Sequence, residues 1–134
     1  MANALYTKGK EALLDGTVSL SADTIKVALV GSGYTVNLTT DEFLSDIPSG
    51  QIIATSSALS GKTETSGIFD ASNVVLGAVS GSAVDFLVIY KDTGTSTTSR
   101  LLAYIDTATG LPLTPSGGSV TIAWDTGTSK IFQI

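Results

Sequence analysis

The sequence predicts a mainly β fold, a sandwich or small barrel of about seven or eight short strands with one short N-terminal helix, in a single domain of residues 1–134. Three observations predict it. The first is composition: 19 Thr, 17 Ser and 14 Gly make up a large share of the 134 residues. Thr suits a pleated, half-buried surface, and Gly and Ser mark turns. The second is the scarcity of charge: only 14% of residues are charged, whereas long helices fill their exposed faces with Glu, Lys and Arg. The third is patterning, because short apolar runs with period-2 alternation recur between turn signals along most of the chain.

The elements follow in order. Residues 3–15 read as a helix packed on or beside the sheet, capped by Asn3, with Leu5, Ala12 and Leu13 at helical spacing and Asp15-Gly16 as its stop. Gly9 lies inside that pattern, at a cost of about 1 kcal/mol relative to Ala. Residues 24–30 alternate Ile25, Val27 and Leu29 against Lys26 and Ala28, the pattern of a strand. Gly31-Ser32-Gly33 is a turn, residues 34–38 a short returning strand, and residues 40–44 one capped helical turn closed by Pro48-Ser49-Gly50.

Residues 51–59 read as the next strand and 62–66 as a polar edge, followed by apolar Ile68 and Phe69. Residues 73–79 and 84–90 are two more strands. In the second, Val84, Phe86, Val88 and Tyr90 share one face, with Leu87 and Ile89 on the other. A strand apolar on both faces belongs between two packed layers. Residues 91–99 form a polar surface loop, and 101–105 return as the hairpin partner of 84–90. Residues 106–118, with Pro112 and Pro115, read as a long connection; Val120, Ile122 and Trp124 form a last alternating strand. The final Ile131, Phe132 and Ile134 are apolar, which predicts that they lie in a sheet or an interface. The expected core is Ile25, Val27, Leu29, Val84, Phe86, Val88, Leu102, Tyr104, Val120, Ile122 and Trp124.

Charge and residue inventory narrow the function. Seven Lys+Arg against twelve Asp+Glu give a net charge of −5. A chain with one Arg and no cationic cluster is a poor partner for nucleic acid or anionic membranes. With no His and no Cys, zinc sites of the Cys/His kind, cysteine nucleophiles, Ser-His-Asp triads and disulfides are excluded. The first residues lack a basic segment followed by an apolar one, so no secretory signal is expected.

The remaining motifs each have a plain reading. Asp92-Thr93-Gly94 and Asp125-Thr126-Gly127 match the turns through which aspartic proteases bring two carboxylates together. They lie only 33 positions apart, Lys91 and Trp124 precede them in place of a small aliphatic residue, and no second apolar-Gly element follows. Asp and Gly are what turns use anyway. Lys62, Lys91 and Lys130 lie near Ser or Thr, as a Ser-Lys dyad would require, but so many hydroxyls make such proximity ordinary. Asp41, Glu42 and Asp46 could offer oxygen ligands to a hard cation, though their spacing matches no EF-hand loop. Gly31-Ser32-Gly33 lacks the rest of a phosphate-binding loop, and Asn37-Leu38-Thr39 is a chance glycosylation sequon. Tyr34, Phe43, Tyr104 and Trp124 could line a sugar site, but aromatics in apolar strands read first as core. No catalytic residue, cofactor or metal ligand set is expected.

The segments MANALYTKGKEALL, DTIKVALV, FLSDIPSG, LVIYKDTG, SRLLAYIDTATGLPLTP and KIFQI span nearly the whole chain. Through them it resembles small virion proteins of tailed bacteriophages, most of all capsid decoration (cement) proteins. The resemblance implies a structural protein on the outer capsid surface, made in the bacterial host cytoplasm. It implies binding to the major capsid protein, and a homo-oligomer, expected to be a trimer. A tail, fibre or head-fibre component is the alternative. The expected contact residues are Leu5, Leu111, Pro112, Phe132 and Ile134, apolar where a free monomer would expose polar groups.

Overall fold

The computed structural model describes residues 4–105, 113–122, 124 and 131–133, the last two through their backbone. The fold is mainly β. In chain order it runs β1 (Ala4–Leu5), α1 (Thr7–Leu14), β2 (Ile25–Val30), β3 (Ile52–Thr55), β4 (Thr63–Thr65), β5 (Ile68–Asp70), β6 (Val74–Leu76), β7 (Phe86–Lys91), β8 (Leu101–Ile105), β9 (Val120–Ile122) and β10 (Phe132–Gln133). Two single 3-10 turns, Leu44–Asp46 and Ser49–Gln51, lie between β2 and β3. All pairings are antiparallel: a five-stranded sheet in the order β1-β8-β7-β2-β3, a three-stranded sheet β10-β5-β4 and a pair β6-β9. Among the described residues the sheets do not close into a barrel.

The five-stranded sheet is buried on both faces, as its central strands predict. Ile25, Val27 and Leu29 of β2 join Leu87, Ile89, Ala103 and Ile105 in the larger core, which also takes Phe69, Val74, Leu76 and Ile122 from the other sheets. Ala28 and Val30 point the other way, with Val88, Tyr90, Leu101 and Tyr104, into a second core closed by Tyr6, Tyr34, Leu44 and Ile47. Each fully buried Val, Leu or Ile is worth about 1.5–3 kcal/mol of transfer free energy, so β2 and β7 anchor the molecule. The β7–β8 hairpin carries a bulge: Ile89 faces Ala103 and Tyr90 faces Leu101, leaving Leu102 as the extra residue. The extra residue puts the adjacent Leu102 and Ala103 into the same, larger core, while Leu101 and Tyr104 on either side enter the second.

The bulge is where the N-terminal helix docks. The helix starts at Thr7, not at Asn3, which lies outside the described residues. Ala4 and Leu5 are a strand instead, in register with Tyr104 and Ala103, because the edge of β8 offers them ladder hydrogen bonds. Tyr6 then donates its N–H to Leu102 O (2.9 Å), and Thr7 donates to Leu38 O (2.8 Å), so tertiary carbonyls replace a side-chain cap. The expected stop holds: Asp15 is the C-cap and Gly16 follows at φ +82°. A Cβ on Gly9 would lie 2.5 Å from Leu101 O and 3.0 Å from Leu102 Cα, so glycine here allows the helix backbone to touch the sheet. The helical charges run against the macrodipole. The first turn holds no acid and the last no base, an arrangement that forgoes about 0.3–1 kcal/mol per favourably placed charge.

Other expectations shift locally. Residues 34–38 form no strand. Tyr34 is anchored by its hydroxyl, and Asn37 Oδ1 accepts the N–H groups of Thr39 and Thr40 (both 3.1 Å) in a local turn. The helical turn falls at Leu44–Asp46 because Asp46 Oδ2 reaches back to the N–H groups of Glu42 (2.7 Å) and Phe43 (3.0 Å). The strand expected over 51–59 ends at Thr55. Buried Ser56 takes over there, accepting Val27 N–H on its Oγ (2.9 Å) and donating to Ser57 O (2.8 Å). The 73–79 strand contracts to Val74–Leu76. Val84 precedes β7, bridges to Leu113, and belongs to the larger core rather than to the face of Phe86. Phe86, Val120 and Trp124 are only partly buried; the other expected core residues are buried. The strand count exceeds expectation because two-residue strands such as β1 carry almost no periodic signal.

Candidate binding surface

The described polar groups that the sequence singles out are held by internal bonds. Asp92 pairs with Lys26 Nζ (2.8 Å) and accepts Gly94 N–H (3.0 Å). The Lys26 hydrogen bond, then the Gly94 amide, hold its carboxyl below the usual range. That favours a permanently ionised turn carboxylate over the proton-sharing dyad of an aspartic protease. Asp125 lies outside the described residues, as does Lys130. Lys62 Nζ donates to Asp23 O (2.5 Å), while Lys91 Nζ donates to Thr17 O (3.2 Å) and sits 3.4 Å from Asp23 Oδ2. The bonds of both ammonium groups thus run to oxygens other than a serine nucleophile.

The acidic trio Asp41, Glu42 and Asp46 does not converge. Asp41 accepts the Tyr34 hydroxyl (2.6 Å), Glu42 pairs with Arg100 (2.7 Å), and Asp46 caps its own turn. Among the described residues no group of acids is arranged to hold a metal ion. The Gly31-Ser32-Gly33 turn is filled from within. Gln51 takes Gly33 N–H on its side-chain oxygen (2.9 Å) and Gly31 N–H on its backbone carbonyl (2.8 Å).

The aromatics are structural as well. Tyr34 donates to Asp41, and its oxygen lies 2.8 Å from that of Tyr6, in a buried chain tying the helix start to the 34–41 loop. Burial, then the hydrogen bonds to Asp41 and Tyr6, push the Tyr34 phenol far above its ordinary range; burial raises Tyr6 too. Phe43 carries the Arg100 guanidinium 4.5 Å from its ring centroid. Tyr104 packs against Phe86 with centroids 5.1 Å apart. Trp124 donates its indole N–H to Ser72 O (3.1 Å) and its backbone N–H to Asn73 Oδ1 (3.1 Å).

Of the expected contact residues, Leu5 and the backbone of Phe132 lie among the described residues. Leu5 is half-buried against the larger core. Phe132 lies in β10 as the register partner of Phe69; Leu111, Pro112 and Ile134 lie outside the described residues. Among the described residues the large apolar side chains left exposed are Leu14, 85% accessible, and Val75, 57% accessible. Leu14 borders an open groove of about 560 Å³ lined also by Lys8, Glu11, Asp15, Glu42 and Arg100. Val75 borders a second groove of about 390 Å³ between β3 and residues 75–80. The signals for both were present. On the helix Leu14 falls nearly opposite the buried Gly9 and Ala12, with Leu13 at the flank, and Val75 alternates with inward Val74 and Leu76.

Among the described residues no helix is long and apolar enough to cross a membrane. No protein-family model matches the chain, and no curated protein matches it.

Proposed function

We propose that this chain is a structural protein of a tailed-phage virion, and in particular a capsid decoration protein that binds the outer shell and stabilises it. One observation carries the structural half of the reading. The described side chains singled out as candidate chemistry, Asp92, Asp41, Glu42, Asp46, Lys62 and Lys91, each brace a loop or strand of the fold. The phage half is supported by the sequence resemblance, carried by segments that span nearly the whole chain. A β-domain with apolar side chains left at its surface suits a protein that folds first and then docks. Occupying many identical shell sites would stabilise the shell by mass action. Its partner is then the major capsid protein, and no step of its work needs a cofactor, nucleic acid or membrane.

Immunogold labelling of intact virions with an antibody against this chain tests the reading. Gold spread over the heads is expected. Heads lacking the protein should then break at lower temperature than complete ones. Gold confined to the tail or its tip would instead establish the tail or fibre alternative, and virions without label would overturn both.

A further inference from the structure

The groove of about 390 Å³ runs between β3 and residues 75–80, which begin in β6. Among the described residues β3 pairs with β2 on one side and with no strand on the other. Its main chain is divided between the two sides. Ala54 is in register with Leu29, and Ser56 donates its N–H to Val27 O (2.8 Å), so both are directed towards β2. Thr55 lies between them, and the alternation of an antiparallel ladder turns its N–H and C=O away from β2, to the side of the groove it lines. Ile53 is the extra residue of a bulge, since Leu29 faces Ala54 and Val30 faces Ile52, and it is left out of the same ladder.

The groove has no charged residue in its lining. Residues 51–59 carry neither a charge nor a proline, the common guards of a free edge. The free edge at β4 has such a guard, with Glu64 in the strand and Lys62 before it. On the far wall Val75 is exposed, and Ala78 is held at φ +53°. Strain of this kind recurs where a ligand is clamped. Open main-chain groups call for an occupant with main-chain groups of its own. Neighbouring strands lie about 4.8 Å apart, so one strand paired with β3 enters the groove directly. A second copy could not offer its own β3, because the sheet behind that strand would fall where residues 75–80 stand.

We propose that this groove receives an extended, uncharged segment of a partner protein, which adds a strand to β3 through Ile53 and Thr55 and lays an apolar side chain on Val75. Main-chain pairing supplies the attachment and the uncharged walls select the sequence. The inference does not rest on the virion reading.

NMR titration and amide hydrogen exchange of the full chain test it, with the capped peptide acetyl-Thr-Val-Thr-Val-Thr-amide as the probe. In the free chain the Thr55 amide should exchange quickly while those of Ala54 and Ser56 are protected. The peptide should slow the Thr55 amide and shift the resonances of Ile53, Thr55 and Val75. The same peptide with every amide N-methylated should not bind, and one with glutamate for both valines should bind at least tenfold more weakly. Thr55→Pro removes the outward donor and spares the β2 ladder; Val75→Glu puts a charge in the far wall. Each should raise the dissociation constant at least tenfold, and circular dichroism checks that each keeps the fold. A Thr55 amide already protected in the free chain would overturn the proposal. So would resonances that the peptide leaves unmoved at millimolar concentration, binding that survives N-methylation, or binding indifferent to Val75→Glu. Protection of Thr55 that grows with protein concentration alone would make the occupant a second copy, and would overturn the choice of partner.

Discussion

Replacing Gly9 by Ala sets two effects against each other, and the structure decides between them. In an isolated helix the change is favourable by about 0.8–1 kcal/mol, since glycine is a poor helix former. Here the new methyl would stand 2.5 Å from Leu101 O and 3.0 Å from Leu102 Cα. Both are backbone atoms of a buried strand and cannot rotate away. Overpacking of this kind costs about 1–3 kcal/mol. If the helix lifts to escape it, the Tyr6 N–H to Leu102 O bond at 2.9 Å is stretched, at a cost of about 1 kcal/mol more. The net expectation is a loss of roughly 2 kcal/mol, which lowers Tm by about 7 °C for a chain of this length.

Thermal and urea unfolding followed by circular dichroism measure it, with two other glycines as references. Gly50 has open space around its absent Cβ and no positive φ, so Gly50→Ala should stabilise by about 0.4–1 kcal/mol. Gly16 has equal space but φ +82°, so Gly16→Ala should destabilise by about 1 kcal/mol through the backbone alone. A Gly9→Ala protein as stable as the parent, with Gly50→Ala behaving as expected, would refute the close approach of α1 to β8.

Two further predictions concern buried polar groups. Ser56→Ala removes the acceptor of Val27 N–H and leaves that buried donor unpaired, so unfolding should become about 1–3 kcal/mol easier; an unchanged urea midpoint would mean that water replaces the hydroxyl. Tyr90 is pushed up to about 12 by burial and then by the Asp92 charge, and Tyr6 and Tyr34 are raised by burial as well. The folded state then holds protons that the unfolded chain releases near pH 10, so stability is complete below about pH 10 and falls as pH rises beyond it. Tyrosinate absorbance should appear together with the loss of circular dichroism, and ionisation of these phenols in a chain still folded would contradict their burial.

What the sequence makes legible is periodic, and what it hides is not. The β2 and β7 strands and the β7–β8 hairpin are readable because β2 alternates Ile25, Val27 and Leu29 against Lys26 and Ala28, while β7 is a short run apolar on both faces. The interval 34–51 is not readable, because its order comes from side chains bonding to backbone: Asn37, Asp46 and Gln51 each hold N–H groups that a strand would have paired. Single residues of Asn, Asp and Gln carry no period, and the same residues are equally at home in open loops. Which apolar residue stays exposed is hidden for a related reason. Apolar character near the chain start pointed to Leu5, but which apolar residue is exposed depends on how the helix is rotated on the sheet. That rotation is set by Gly9 and Ala12, the small residues the sheet can accept.

That rotation also bears on whether the outer face of α1 is a surface or a fraying end. An eight-residue helix is marginal on its own. This one is fixed from several directions. Ala4 and Leu5 extend the sheet through β8, Tyr6 bonds Leu102 with its backbone and Tyr34 with its hydroxyl, and Thr7 bonds Leu38. Gly9 and Ala12 then seat the middle of the helix, and Val18 N–H returns to Ala12 O (3.1 Å) after the C-cap. With both ends and the centre held, the azimuth of the helix is determined, and Leu14 is directed outward by geometry rather than by local unfolding. A leucine held outward in this way forgoes the roughly 1.5–3 kcal/mol that full burial of its side chain would contribute, so its position is set by the seating of the helix and not by its own preference.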